Sequence, residues 1–360
     1  MIKNIQIENY KSIRKLDLDL RPINILIGEN GAGKSNFLGF FEFLRSIANT
    51  RMQLFVAEKG GAENILYYGS KNSKYLSGKI EFGIIDINLP SGYQFLMKPN
   101  NEERFYYEEE WISFYDLHKD NTPYWTLLLG SGYNESKLNS DSLVWKYMDS
   151  FRVYHFHDTT RTSKMRKSTE IYDNRFLRED GANLPAYLYL MQEKYPKDFK
   201  KIEMLVRMVA PYFERFNLQP DEFNEDKIQL EWKEKYFDAY FRANHLSDGT
   251  LRFIALAALL LTPKIPEVII IDEPELGLHP SAINILAELI KEASTRTQII
   301  MSTQSVNFID NFEPEDIIVV DKENDGQSIF KRQNTEELRD WLEEYSIGDL
   351  WNKNVIGGRP

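Results

Sequence analysis

The chain has 360 residues and a net charge of −11, with 42% hydrophobic and 28% charged residues, proportions ordinary for a globular protein. That balance excludes a surface basic all over, so nucleic acid would need a local patch or a partner subunit. The absence of cysteine excludes a disulfide framework and a thiolate metal site.

The length exceeds one minimal core, so one elaborated domain or two lobes is expected. Lys3, Glu8 and Lys11 interrupt any signal-like apolar run at the N-terminus. The longest apolar stretch, Phe253 to Leu261, falls well short of the roughly 20 residues of a membrane span. A cytoplasmic protein with no membrane partner is expected.

Residues 2–27 read as two or three short strands. Ile2, Ile5 and Ile7 are apolar, Leu16, Leu18 and Leu20 alternate with charged residues, and Ile23, Ile25 and Ile27 follow. Strict alternation leaves one wet face, so the early strands are antiparallel decoration before a buried strand. Lys11-Ser12-Ile13-Arg14 between them is a solvated turn or a nucleotide contact.

Gly28-Glu29-Asn30-Gly31-Ala32-Gly33-Lys34-Ser35 is a G-x-x-x-x-G-K-[ST] phosphate loop, set between a strand and a helical pattern from Lys34 to about Ile47. A triphosphate must approach several backbone N–H groups at once, and glycines at 28, 31 and 33 remove the side chains that would block it. The following helix aims its N-terminal N–H groups at the same phosphates. Lys34 supplies a charge for the β- and γ-phosphates and Ser35 a hydroxyl for Mg²⁺. Asn36, in the first helical turn, belongs to the same ATP-binding set.

The middle region, roughly 51 to 240, is β-rich and then helical. Ile80, Phe82 and Ile84 alternate, Tyr93–Lys98 and Phe105–Phe114 follow, and Leu184–Glu193 and Ile202–Phe216 carry helical spacing. No heptad seam runs for several turns, so no long coiled coil is expected. His155, His157 and Asp158 invite a metal reading, yet no third His or Glu has motif spacing. The basic loop 161–178, with Arg161, Lys164, Arg166, Lys167, Arg175 and Arg178, is a solvated connection or a phosphate-backbone contact.

Leu246-Ser247-Asp248-Gly249-Thr250 leads into an apolar helix to Leu261, with Ser247 placed to cap it. Val268-Ile269-Ile270-Ile271 reads as a strand buried on both faces, ending in Asp272 and Glu273. At such a strand end Asp272 reaches a Mg²⁺ shell and Glu273 the attacking water. Pro280 opens a helix with Ile283, Leu286, Ala287 and Ile290 on one face. The strand Gln298–Met301 ends at Ser302-Thr303-Gln304-Ser305, Ile317–Val320 is expected as an edge strand, and Asn334-x-x-Glu337 opens a last helix in capping-box fashion. The fold class is α/β with a mixed or parallel sheet and right-handed crossovers.

With the phosphate loop, Leu-Ser-Asp-Gly-Thr and the Asp-Glu strand in this order, the chain resembles the ABC-type ATPase heads. It looks closest to the prokaryotic AAA-family ATPases grouped with the RecF, OLD and SMC-like proteins. His-Phe-His-Asp-Thr at 155–159, Asp-Glu-Pro-Glu-Leu-Gly-Leu-His-Pro at 272–280 and the tail from Leu350 to Pro360 also look like that group. The resemblance implies a head split between 1–50 and 241–345, an inserted lobe at 51–240 and a tail at 346–360. It implies ATP bound in cis, with Ser247 and Gly249 completing the site of a second subunit. Residues 157–159 fall where a Q-loop would join head and lobe, but no Gln stands there. The switch position holds Gln304, which cannot carry a proton at neutral pH, so slow or partner-dependent turnover is expected.

The resemblance implies an ATP-gated homodimer or higher oligomer of heads that controls a separate effector or nuclease in anti-phage defence or genome maintenance. Two alternatives stand beside it: a repair clamp that binds DNA directly, and the nucleotide-binding subunit of a transporter. The second is disfavoured by Leu-Ser-Asp-Gly-Thr in place of a Gly-Gly-Gln ending.

Overall fold

The computed structural model describes residues 1–83, 90–116, 122–129, 132–140 and 142–359, with backbone alone at 90, 115, 116 and 122–129. Ile84 of the expected alternation lies outside the described residues.

Two six-stranded sheets carry the fold. The first is antiparallel, in the order Ile13–Asp19, Ile2–Tyr10, Leu76–Phe82, Pro90–Pro99, Phe105–Asp116, Thr122–Leu129. The second runs Ser328–Arg332, Ile317–Lys322, Ile23–Ile27, Gln298–Ser302, Val268–Asp272, Arg152–Tyr154, parallel except for its first strand. Both sheets run across the boundary expected at residue 50. Leu76–Phe82 pairs with Ile2–Tyr10, and Arg152–Tyr154 pairs with Val268–Asp272.

The parallel strands separate two cores because successive side chains point to opposite faces. Ile25, Ile27, Ile269, Ile271, Ile299 and Met301 face the helices Leu184–Lys194, Pro196–Val209, Asp248–Leu260 and Pro280–Ser294. Leu26, Val268, Ile270 and Ile300 face the other way, toward the antiparallel sheet. Between the sheets lies the helix Lys34–Ala48, whose Phe37, Phe40, Phe41 and Phe43 are all fully buried. Each such ring contributes about 1.5–3 kcal/mol relative to an exposed one, so this helix is anchored along its length. The phosphate loop at its start is thereby fixed against both layers.

Two expectations are corrected. Ile317–Lys322 is an interior strand, parallel to Ile23–Ile27, and Ser328–Arg332 takes the edge. The run Ile317–Val320 is buried at every position, as an interior strand requires, whereas an edge strand tolerates the charged Lys331 and Arg332. The helical stretch expected over 202–216 ends at Val209, and Phe213–Asn217 is a strand paired with Glu231–Glu234. Pro211 disfavours helical backbone at Ala210, which stops the helix there. No described helix exceeds 15 residues, in keeping with a head that carries no long coiled coil.

The C-terminal tail packs back on the core. Ser346 and Asp349 form a capping box for the helix Ile347–Asn352, and the fully buried Trp351 donates from Nε1 to the Gly358 carbonyl at 2.5 Å. Gly358 donates its N–H to both Asp321 carboxylate oxygens, at 3.0 and 2.9 Å, and lies close behind Gly28.

Candidate nucleotide site

The phosphate loop is shaped by what stands behind it. Gly28 has φ +147°, and a Cβ there would fall 2.1 Å from the Val320 carbonyl oxygen. Gly33 has φ +121°, and a Cβ would fall 2.2 Å from Ser328 Oγ and 2.9 Å from Ser12 Oγ. Only glycine meets both demands without displacing backbone or the serine pair. Ser328 Oγ donates to the Ala32 carbonyl at 2.5 Å and accepts from Ser12 Oγ at 2.7 Å, while Asn36 Nδ2 donates to Ser12 Oγ at 2.8 Å. The turn at 11–12 therefore braces the loop from behind through Ser12.

The helix Lys34–Ala48 has no side-chain cap and no acidic residue in its first turn. Its leading N–H groups and positive dipole end stay available to an anion. Lys34 is buried, donating from Nζ to the Gly28 carbonyl and, at 3.1 Å, to that of Glu29. Burial lowers its pKa from the ordinary lysine value, and the carboxylates of Glu273, Asp272 and Glu29 pull the other way.

Opposite the loop, Asp272 closes its strand and accepts a hydrogen bond from Ser302 Oγ at Oδ1. Glu273 turns sharply with φ +44°, held there by its N–H donating to the Ser302 carbonyl at 3.0 Å. A left-handed non-glycine residue costs about 1–3 kcal/mol and persists where surroundings over-determine it. Gln304 Nε2 donates to Glu273 Oε1, so the switch residue and the expected base are in direct contact.

Asn30, Gly31, Gly33, Lys34, Ser35, Asn36, Asp272, Glu273 and Gln304 line one cleft. Gly28, Glu29 and Ala32 complete the loop without lining it. The donor set fits a magnesium nucleotide: backbone N–H groups and an ammonium for phosphates, a hydroxyl and a carboxylate for a hard cation. Ser247 and Gly249 do not line this cleft. Ser247 is exposed and caps Asp248–Leu260 by accepting the Thr250 N–H at 3.1 Å. Gly249 packs on the loop after Glu273, where a Cβ would fall 2.5 Å from the Gly277 carbonyl oxygen.

Several residues that hold this arrangement escaped the sequence reading. Glu275 is buried and accepts from Thr303 Oγ1 at 2.5 Å and from the Gln304 N–H at 3.3 Å. Its other oxygen has no hydrogen-bond partner among the described residues, and burial raises its pKa above the ordinary value. Arg252 donates to the Phe156 and His157 carbonyls at 2.8 and 3.1 Å, tying the Asp248–Leu260 helix to the 155–159 segment. Arg166 binds the Leu246 carbonyl at 3.1 Å and Asp248 at 2.7 Å. The third carboxylate of Asp-Glu-Pro-Glu was the available signal for Glu275; nothing local marks the two arginines. Of the basic loop, Arg166 is thus spent internally, Lys164 pairs with Asp180 at 2.9 Å and Arg178 with Asp173 at 2.8 Å.

His155 and His157 lie beside Asp272 but do not line the cleft that holds Lys34. His155 Nδ1 is 3.6 Å from Asp272 Oδ2, and His157 Nε2 is 2.9 Å from the Asp272 main-chain oxygen. The Glu42 carboxylate, 3.9 Å from His155 Nε2, raises the pKa of that imidazole against the effect of burial. Asp158 points elsewhere and accepts from Thr160.

Comparison with known proteins follows the same lines. The fold is similar to an SMC head bound to the C-winged helix domain of ScpA, with TM-score 0.64, 18% identity, and 94% of this chain and 99% of that chain covered. It is also similar to an SMC head with an extended coiled coil bound to the C-terminal domain of ScpA from Pyrococcus furiosus (TM-score 0.55, 16% identity, 96% and 99% covered). An SMC head with a coiled coil and joint from Pyrococcus yayanosii gives TM-score 0.57 at 12% identity, with 96% and 99% covered. At these identities the likeness shows the fold. Among curated proteins, ABC transporter A family member 11 of Dictyostelium discoideum is 36% identical over 80 residues, or 22% of this chain. The chain spans 9% of that relative's length. Residues 23–310, well over half of the chain, match the family described as "AAA domain, putative AbiEii toxin, Type IV TA system". The chain belongs to this AAA-domain family, and its fold is that of the SMC heads.

Proposed function

We propose that the chain binds ATP with Mg²⁺, hydrolyses it, and uses the cycle to close and open a pair of heads. The observation that carries this reading is the single cleft shared by the phosphate loop, Asp272, Glu273 and Gln304. Lys34 and the loop N–H groups hold the phosphates, and Ser35 and Asp272 hold Mg²⁺, which neutralises charge on the β- and γ-phosphate oxygens. Glu273 orients the attacking water and takes its proton, while Gln304 fixes the carboxylate through the Nε2 bond.

Ser247 and Gly249 stand at an exposed, capped helix start outside that cleft. This supports their action on the nucleotide of a second copy, so that ATP joins two heads and its loss releases them. The SMC heads of similar fold are described as bound to ScpA domains, a precedent for heads working with a separate protein. We place this chain as a switch for a separate effector, in anti-phage defence or genome maintenance. The paired cations of the 161–178 loop favour a structural role there over direct DNA contact.

The test is phosphate release from ATP with Mg²⁺, comparing the parental protein with Glu273→Gln. The variant keeps size and hydrogen bonding but loses the base, so release should slow by about 10²–10⁴-fold. A parental protein that releases no phosphate, or a variant that matches it, overturns the assignment.

A further inference from the structure

Two imidazoles and a carboxylate from distant parts of the chain meet beside the nucleotide cleft. His155 and His157 follow the strand Arg152–Tyr154, and Asp272 ends the neighbouring parallel strand, in which Ile271 stands opposite Tyr154. Parallel pairing in that register brings the two strand ends together. One ring nitrogen of each histidine and one Asp272 carboxylate oxygen all lie within 4.8 Å of one another. Donors held about 2.0–2.2 Å from a common ion stand roughly 3–3.5 Å apart, so small side-chain rotations complete the set. His155 Nδ1 and Asp272 Oδ2, 3.6 Å apart, are nearly there already.

The surroundings resemble those of a built metal site. A metal-bound imidazole normally has its second nitrogen tied to a carbonyl or carboxylate, which fixes the ring. His157 Nε2 is tied to the Asp272 main-chain oxygen at 2.9 Å, and His155 Nε2 faces Glu42 at 3.9 Å. That leaves Nδ1 of each ring for an ion. The Asp272 carboxylate is likewise divided, with Oδ1 toward Ser302 and Oδ2 toward His155. An open cleft of about 560 Å³, lined by Glu42, Arg45, Glu179 and His155, gives access from solvent.

We propose that His155, His157 and Asp272 form a site for a divalent transition metal of the Zn²⁺ class. Imidazole donors suit Zn²⁺, Co²⁺ or Ni²⁺, whereas Mg²⁺ takes oxygen ligands, so this site differs from the Ser35–Asp272 position. Asp272 belongs to both sets. The claim concerns metal binding alone and stands whether or not the chain hydrolyses ATP.

The experiment uses untagged, chelator-stripped full-length protein without nucleotide, titrated with Co²⁺ and followed by its visible d–d absorption. One Co²⁺ per chain is expected, displaced by Zn²⁺ but not by millimolar Mg²⁺. His155→Ala and His157→Ala should each weaken binding by at least about tenfold. Both side chains are at least partly exposed, and metal-free thermal melts check that the variants fold. A Co²⁺-dependent rise in Tm, present in the parent and absent from both variants, is the second readout. His155→Gln should behave like His155→Ala. An absent d–d band, or a band and a Tm rise that survive in both alanine variants, overturns the proposal.

Discussion

Two long helices of this head begin at loops rich in small residues, and their beginnings differ. Lys34–Ala48 starts at Gly33 with no side-chain cap, facing Asp272, Glu273 and Gln304 of its own chain. Asp248–Leu260 starts at Ser247, which caps it, and carries Asp248 in its first turn, itself bound by Arg166. The first start is left open toward a cleft of its own chain and is the proposed phosphate site. The second is already satisfied locally and is held rigidly outward, with Gly249 pressed on Gly277. A capped, braced and exposed loop that does not line the cleft of its own chain supports the proposed presentation to another copy.

Variants on each side sharpen that contrast. Lys34→Ala removes the charge that meets the β- and γ-phosphates, so ATP binding by calorimetry and phosphate release should both be lost. Parental turnover in this variant would break the cis half of the account. Ser247→Arg should leave ATP affinity within about twofold while lowering turnover about tenfold or more, because bulk at the exposed helix start blocks closure. If affinity falls as far as turnover, the two helix starts are not functionally distinct. Gln304→Ala frees the Glu273 carboxylate from a charge-assisted hydrogen bond worth about 1.5–3 kcal/mol, so turnover should drop by roughly tenfold with ATP affinity preserved. A drop in affinity alone would place Gln304 on the phosphates instead.

The smallest effect is a stability change at Glu275. Burial raises its carboxyl above the ordinary value of 4.5, so the folded chain keeps a proton that the unfolded chain releases. Folding stability from this group is therefore present below about pH 4.5 and is lost as pH rises through the raised folded value. Glu275→Gln has no proton to lose, so its Tm relative to the parent should be higher at pH 8 than at pH 5. An equal Tm difference at both values would show that Glu275 is not held neutral.

The legible parts of the site were those set by local backbone demands. Glycine spacing at 28, 31 and 33, the buried run ending in Asp272 and Glu273, and the cap at Ser247 each announce themselves within a few residues. Contacts made across the fold gave no local sign. Asp272 joins His155 and His157 only because two parallel strands, 115 residues apart in their His157–Asp272 contact, end side by side. Arg166 read as one cation of a basic loop, yet it is almost wholly buried and binds the loop before Asp248. Ile317–Val320 read as an edge because its true edge partner, Ser328–Arg332, carries too many polar residues to announce a strand.

The central claim, that the cleft of one chain is completed by the exposed helix start of another, is tested most directly by mass. Glu273→Gln should bind ATP and Mg²⁺ without consuming them, and so accumulate in the closed state. Size-exclusion chromatography with light scattering should give the mass of two chains with ATP and Mg²⁺, and of one chain without nucleotide. A mass that is the same in both conditions, whether one chain or a permanent assembly, would contradict the account.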